Sequence, residues 1–153
     1  MTRSNAREIA VHLVYGLHYT QDSAQELFDA RMDEEYYPSL RDVDDIYAER
    51  PNRKQYDYIQ GLVTGVQEHM EELDSYIEKY AVGWKLSRVS KISRAIMEVA
   101  MYEILYLEDV PAGVAINEAV ELCKRYEEAE TASFVNGILG KFAKEVTVDV
   151  SGD

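Results

Sequence analysis

Arg3 and Arg7 stand four residues apart in the opening stretch "MTRSNAREIAVHLVY". On a helix that spacing puts two guanidinium groups on one side, where they can contact neighbouring phosphates of a nucleic acid. The same pair suits a plain solvated surface, so alone it decides nothing. Catalytic chemistry finds less support. His12, His18 and His69 are not spaced four apart from one another and no Cys/His cluster exists, so no zinc motif is present. Cys123 falls on the apolar stripe of its segment and reads as a core thiol rather than a nucleophile. Glu103 lies between Ala100 and Leu107 on another such stripe. A carboxylate there needs a hydrogen-bonding partner, which is a structural role rather than a catalytic one. Phosphate loops, G-x-S-x-G turns and dinucleotide fingerprints are absent. These residues argue for no enzyme, no metal and no cofactor.

The elements that must position them read as helices throughout. Ala6, Ile9, Ala10, Leu13 and Leu17 recur at helical spacing, with Ser4 as the expected N-cap. The opposite side carries Arg7, Val11, Tyr15 and His18, too apolar for solvent alone, so a second contact is expected there. Ser23 and Glu26 make a capping-box signature. The acidic segment "DEEYYPSLRDVDDIYAERPN", interrupted by Pro38 and Pro51, reads as a loop holding a short helix. Residues 53–80 are helical again, with Tyr58, Leu62, Val66, Met70, Leu73 and Ile77 on one stripe. Gly61 and Gly65 weaken that helix but permit a neighbour to approach closely.

In "WKLSRVSKISRAIMEVAMYEILYL" the cations Lys85, Arg88, Lys91 and Arg94 recur every third residue. Steps of three drift by about 60° around a helix, so the four would wrap around it rather than form a stripe. The reading is a short turn at 85–89, Ser90 as N-cap, and a helix from Lys91 that buries Ile92, Ile96, Val99, Ala100 and Leu107. After Pro111, Ile116, Ala119, Val120, Cys123 and Tyr126 face inward; Thr131 then caps a last helix lined by Phe134, Val135, Ile138, Leu139, Phe142 and Val146. The expected fold is all-α, a bundle of six or seven helices, with one domain over residues 1–146 and a frayed tail at 147–153.

Composition limits the class of partner. The formal net charge is -13 over 153 residues, with residues 21–50 contributing -7 and residues 102–153 another -7. Only residues 1–20, at +1, and 84–101, at +3, run the other way. Such a surface repels nucleic acid at long range and attracts a basic partner. There is no apolar run of about eighteen residues that could span a membrane, and the start lacks the apolar region of a signal peptide. A single cysteine fits a reducing compartment, so a cytoplasmic location is expected.

The segments "SRAIMEVAMYEILY", "VPAGVAINEAVELCKRY" and "SFVNGILGKF", in that order, resemble the NusB family of transcription antitermination factors. The opening "AREIAVHLVYGL" is similar to the start of that family too, so the resemblance covers nearly the whole chain. It implies an all-helical RNA-binding protein without catalysis. Such proteins bind boxA RNA together with NusE, a ribosomal protein, and join the antitermination complex on RNA polymerase during ribosomal RNA transcription. Some members are monomers and others homodimers. Carried over by motif, the RNA-contacting surface includes Arg3, Arg7, Tyr126, Glu130, Thr131 and Phe134. Tyr126 and Phe134 can stack on unpaired bases, yet both also end apolar stripes and suit a core. Glu130 repels phosphate but can accept from base amino groups, and Lys124 and Arg125 add nearby cations.

On the partner side the resemblance implies Tyr15, and also Ser93, which stands where the family commonly has an acid. A denser arginine cluster is usual at the start, where this chain has only Arg3 and Arg7. RNA affinity from so few cations is weak and salt-sensitive, so a basic protein docked on an acidic face should complete the binder. The alternative is a protein-interaction or homodimerisation module with weak or no RNA binding.

Overall fold

Hydrophobic periodicity near 3.6 residues and well-formed caps make helices along this chain. The structure is a computed structural model that describes the backbone of residues 1–151 and the side chains of residues 1–147. Among the described residues it is all-α, with no strand. The helices are α1 (Arg3–Leu17), α2 (Ala24–Arg31), α3 (Tyr36–Ser39), α4 (Arg53–Tyr80), α5 (Lys91–Tyr106), α6 (Ala112–Tyr126) and α7 (Ala129–Ser151). Short 3-10 turns occupy Leu40–Asp42, Asp45–Tyr47 and Leu86–Arg88. By its contacts the chain divides into two compact units, Met1–Glu68 and the residues from His69 on.

In the first unit α1 packs on α2 and on the turn Asp45–Tyr47. Its cap is Thr2 rather than the expected Ser4: the Thr2 hydroxyl accepts from the Asn5 amide at 3.0 Å. The helix is buried on both of its expected faces, Ile9 and Leu13 on one and Arg7 and Val11 on the other. Ser23 and Glu26 close a reciprocal capping box at the start of α2, and the Ala24 amide donates to Gln67 of α4 at 2.8 Å. The acidic segment before α4 is pinned by its aromatics. Tyr37, Ile46 and Tyr47 are buried, the Tyr37 hydroxyl donates to the Glu49 carbonyl at 2.8 Å, and Arg50 lies over the Tyr37 ring while donating to the Met32 carbonyl. Gly61 meets no close neighbour: a Cβ built there would find nothing within 4 Å. The close approach expected at that glycine is not made.

In the second unit α5, α6 and α7 pack on one another around Ile96, Met97, Met101, Ala119, Cys123, Val135, Leu139 and Phe142. Leu73 and Ile77, one helical turn apart on α4, are fully buried. Each such side chain stabilises the fold by about 1.5–3 kcal/mol relative to exposure. Burial pushes the Cys123 thiol up to about 12, with Glu127 adding to the effect, so this is an unreactive core cysteine. Ser90 caps α5 as its spacing requires, accepting from the Ser93 amide at 3.2 Å.

Two boundaries depart from expectation. α7 begins at Ala129, so Thr131 lies within its first turn and does not cap it. The helix also continues to Ser151 through most of the stretch expected to fray, while Gly152 and Asp153 lie outside the described residues.

Candidate nucleic-acid interface

Only Glu127 and Glu128 join α6 to α7, and this tight joint gathers much of the expected surface. Tyr126, the last residue of α6, was expected to face inward but is 36% exposed, with the Arg125 guanidinium 5.8 Å over its ring. Glu127 breaks the helix in extended backbone and accepts from the Ser90 and Ser93 hydroxyls at 2.5 and 3.4 Å. Those bonds lay the segment 84–90 against the start of α7. The result is a hollow of about 190 Å³ lined by Trp84, Arg88, Val89, Ser90, Glu130, Thr131 and Phe134. Three of the expected residues, Glu130, Thr131 and Phe134, thus share one concavity. Phe134 is half-buried there, between the core and stacking roles that its spacing allowed.

Lys124 lies on a different side of the same helix pair. It lines an open groove of about 550 Å³ with Asn117, Ser133 and Asn136, its ammonium 3.4 Å from Glu121. The two asparagines belong to the quoted segments "VPAGVAINEAVELCKRY" and "SFVNGILGKF", yet sequence singles out neither, because an exposed amide carries no periodicity signal. The larger omission is Trp84 with Arg88. Trp84 is the chain's one tryptophan, it follows Gly83 at φ 83, and it is 55% exposed. A lone tryptophan inside the one internal basic stretch was the available signal.

In the first unit the two arginines of the expected hook differ in exposure. Arg3 is exposed, with its guanidinium 4.3 Å over the Tyr58 ring, but Arg7 is only 4% exposed. The correction has a physical cause: α1 is covered on the face that carries Val11, and Arg7 shares that face. Ser93, expected on the partner side, is likewise buried. It is 1% exposed, and the capped first turn of α5 folds its hydroxyl onto Glu127. Tyr15 does remain at the surface, edge-on to the more exposed Tyr19 with their hydroxyls 3.1 Å apart. An exposed aromatic pair of this kind suits a protein contact.

One group among the described residues could supply three metal ligands: Glu8, His12 and Asp44 bring ligand atoms within 4.8 Å of one another. The surrounding side chains already give this group polar neighbours. Arg31 donates to the Tyr47 hydroxyl, which burial keeps protonated by pushing it up to about 12, and that hydroxyl lies 2.9 Å from His12 Nδ1. His12 Nε2 in turn lies 3.9 Å from a Glu8 oxygen, so both ring nitrogens already face polar side chains.

Comparison with known proteins agrees over the full length. Residues 4–144 match the family model described as NusB family. A protein of Acetivibrio thermocellus named transcription antitermination protein NusB is 42% identical over 153 residues, covering 100% of this chain and 96% of the relative. A Clostridium perfringens protein of the same name is 40% identical over 146 residues, covering 95% and 99%. Among solved structures, T. maritima NusB is similar with a TM-score of 0.71 at 29% identity, covering 95% of this chain and 92% of that one. A structure of antitermination factors NusB and NusE in complex with dsRNA is similar with a TM-score of 0.76 at 26% identity, covering 94% and 96%. The chain belongs to the NusB family.

Proposed function

We propose that this protein is a non-enzymatic, cytoplasmic antitermination factor that works as a single RNA-binding domain. It binds boxA-type RNA together with NusE and acts on RNA polymerase in ribosomal RNA transcription. The observation that carries this reading is the α6–α7 joint, where Tyr126, Glu130, Thr131 and Phe134 stand at or near the surface beside Arg125 and Arg88. Aromatic faces beside a few cations, with acceptors between them, are what unpaired RNA needs. The relative's structure with NusE and double-stranded RNA supports NusE as a partner and RNA as a ligand class. Family membership and the lack of any catalytic motif support the non-enzymatic part. No helix among the described residues is long and apolar enough to cross a membrane, which agrees with a cytoplasmic site of action.

The test is a titration of labelled boxA-type RNA with the full chain, alone and with NusE. The expected result is weak binding alone and at least tenfold tighter binding with NusE. Tyr126→Ala should weaken the ternary complex about fivefold or more, since a stacked base is worth about 1–3 kcal/mol. The burial of Arg7 favours a second reading, an interaction module that has lost RNA binding, because it leaves one exposed cation at the start of α1. Binding of NusE with no RNA shift at any salt concentration would establish that reading instead.

A further inference from the structure

Large apolar side chains are costly to expose, and Trp84 is the largest side chain at the surface of its unit. It is held there rather than left loose. Gly83 supplies the left-handed turn after α4, and the Trp84 amide donates to the Ala81 carbonyl at 2.9 Å. The indole then sits 5.8 Å from the Phe134 ring with the two planes inclined by 60°, a tilted contact rather than a parallel stack. A parallel stack would have hidden a face of each ring; in this tilted contact the indole stays 55% exposed. At about 190 Å³ the hollow falls below the roughly 300–1,000 Å³ typical of small-molecule sites. Its rim combines the exposed Arg88 with Thr131 and Glu130, which offer a hydroxyl and an acceptor at the mouth. It also lies on residues 84–101, the stretch with net +3 in an otherwise anionic chain.

We propose that this hollow receives one unpaired nucleobase of bound RNA, stacked on the Trp84 indole and against Phe134, with Arg88 on the adjoining phosphate. The proposal rests on the RNA-binding reading above and adds a residue and a selectivity to it. Base–aromatic stacking tolerates any base because every base has a π-face, but it needs that face free. A base inside a duplex has none to offer, so this site takes single-stranded RNA and refuses paired RNA. Arg88 can neutralise one phosphate without reading sequence. Glu130 can accept from an exocyclic amino group, which favours adenine, cytosine or guanine over uracil at that position.

Because Trp84 is the sole tryptophan, its emission reports this hollow and nothing else. The experiment titrates the full chain, with NusE present, against a single-stranded boxA-type oligonucleotide and against its duplex. RNA binding is followed by anisotropy of a label on the RNA, and tryptophan emission is read in the same samples, with tryptophan-free NusE. The expected result is quenching that saturates along the single-strand binding curve and is absent with the duplex. Trp84→Ala should weaken single-strand binding about 5- to 100-fold while helix content is unchanged, and Trp84→Phe should restore most of the loss. Single-stranded RNA that binds by anisotropy without altering the emission overturns the proposal, as does a Trp84→Ala protein that binds as tightly as the parent. Emission that responds to NusE alone, with no further change on adding RNA, makes the hollow a protein contact and also overturns it. If no RNA binds under any condition, the RNA-binding reading itself fails and takes this one with it.

Discussion

Glu98 has no exposed surface, and its carboxyl is pushed up to about 10, first by burial and then by the neighbouring Asp74 carboxylate with which it hydrogen-bonds. Arg94, 3.0 Å from Asp74, pulls the other way without winning. The side chain is therefore neutral at ordinary pH, and Arg94 is committed to Asp74 rather than to RNA. A group whose pKa is raised on folding stabilises the native state fully only below its unfolded value. That contribution is lost as pH rises from about 4.5 toward 10, at up to about 1.4 kcal/mol per pH unit. Glu98→Gln stays neutral in both states and removes this slope. Urea unfolding at pH 5.5 and at pH 8 should show the variant gaining on the parent by roughly 1 kcal/mol per pH unit. Equal pH dependence in the two proteins would show that folding leaves Glu98 ionised across that range. The sequence pointed to Glu103 as a buried acid, correctly, but not to Glu98, because the partner that makes Glu98 tolerable lies on another helix. The burial of Arg7 was hidden for a related reason: its spacing from Arg3 says nothing of what covers it.

At the scale of the element, α4 holds a test of helix propensity almost free of packing. Gly61 lies in the interior of a 28-residue helix, is exposed, and would place a Cβ in open space. Gly61→Ala should therefore stabilise the protein by about 0.5–1 kcal/mol, chiefly by reducing the freedom of the unfolded chain. A thermal melt should show a gain of about 1–4 °C. A lower melting temperature would mean that an unseen neighbour occupies that space, an outcome that would itself mark a contact. Elements with a local cause were legible beforehand. The bounds of α4 followed from its stripe, the capping box from Ser23 and Glu26, and the start of α5 from Ser90. What stayed hidden depends on residues far apart in the chain. The hollow beside Trp84 exists because Ser90 and Ser93 bond to Glu127, a tie across more than thirty residues that no periodicity encodes. Thr131 was misread as a cap because threonine suits that role, while α7 in fact starts two residues earlier at Ala129.

For the whole molecule the governing quantity is charge, and it sets the salt dependence of any RNA complex. With a net charge of -13 the chain repels RNA at a distance, and only exposed cations near the aromatic faces can offset this locally. In the second unit Lys85, Arg88, Lys91, Lys124 and Arg125 are exposed while Arg94 is paired with Asp74; in the first, Arg3 is exposed and Arg7 is buried. Two to four phosphate contacts give a slope of log affinity against log salt of about -1.4 to -2.8, since each contact on a single strand contributes about -0.7. Between 50 and 200 mM salt the isolated chain should therefore lose affinity about seven- to fiftyfold. Arg88→Gln should reduce the magnitude of the slope by about 0.7, the share of one phosphate. Adding a basic protein partner supplies cations this chain lacks, so both the affinity and the steepness should rise together. A slope near zero for the isolated chain would mean that stacking alone holds the RNA. A slope steeper than about -4 would require more phosphate contacts than these exposed cations can make. Either result would move the anchoring of RNA away from this small set of side chains, and steepness unchanged by NusE would mean that the partner adds affinity without adding phosphate contacts.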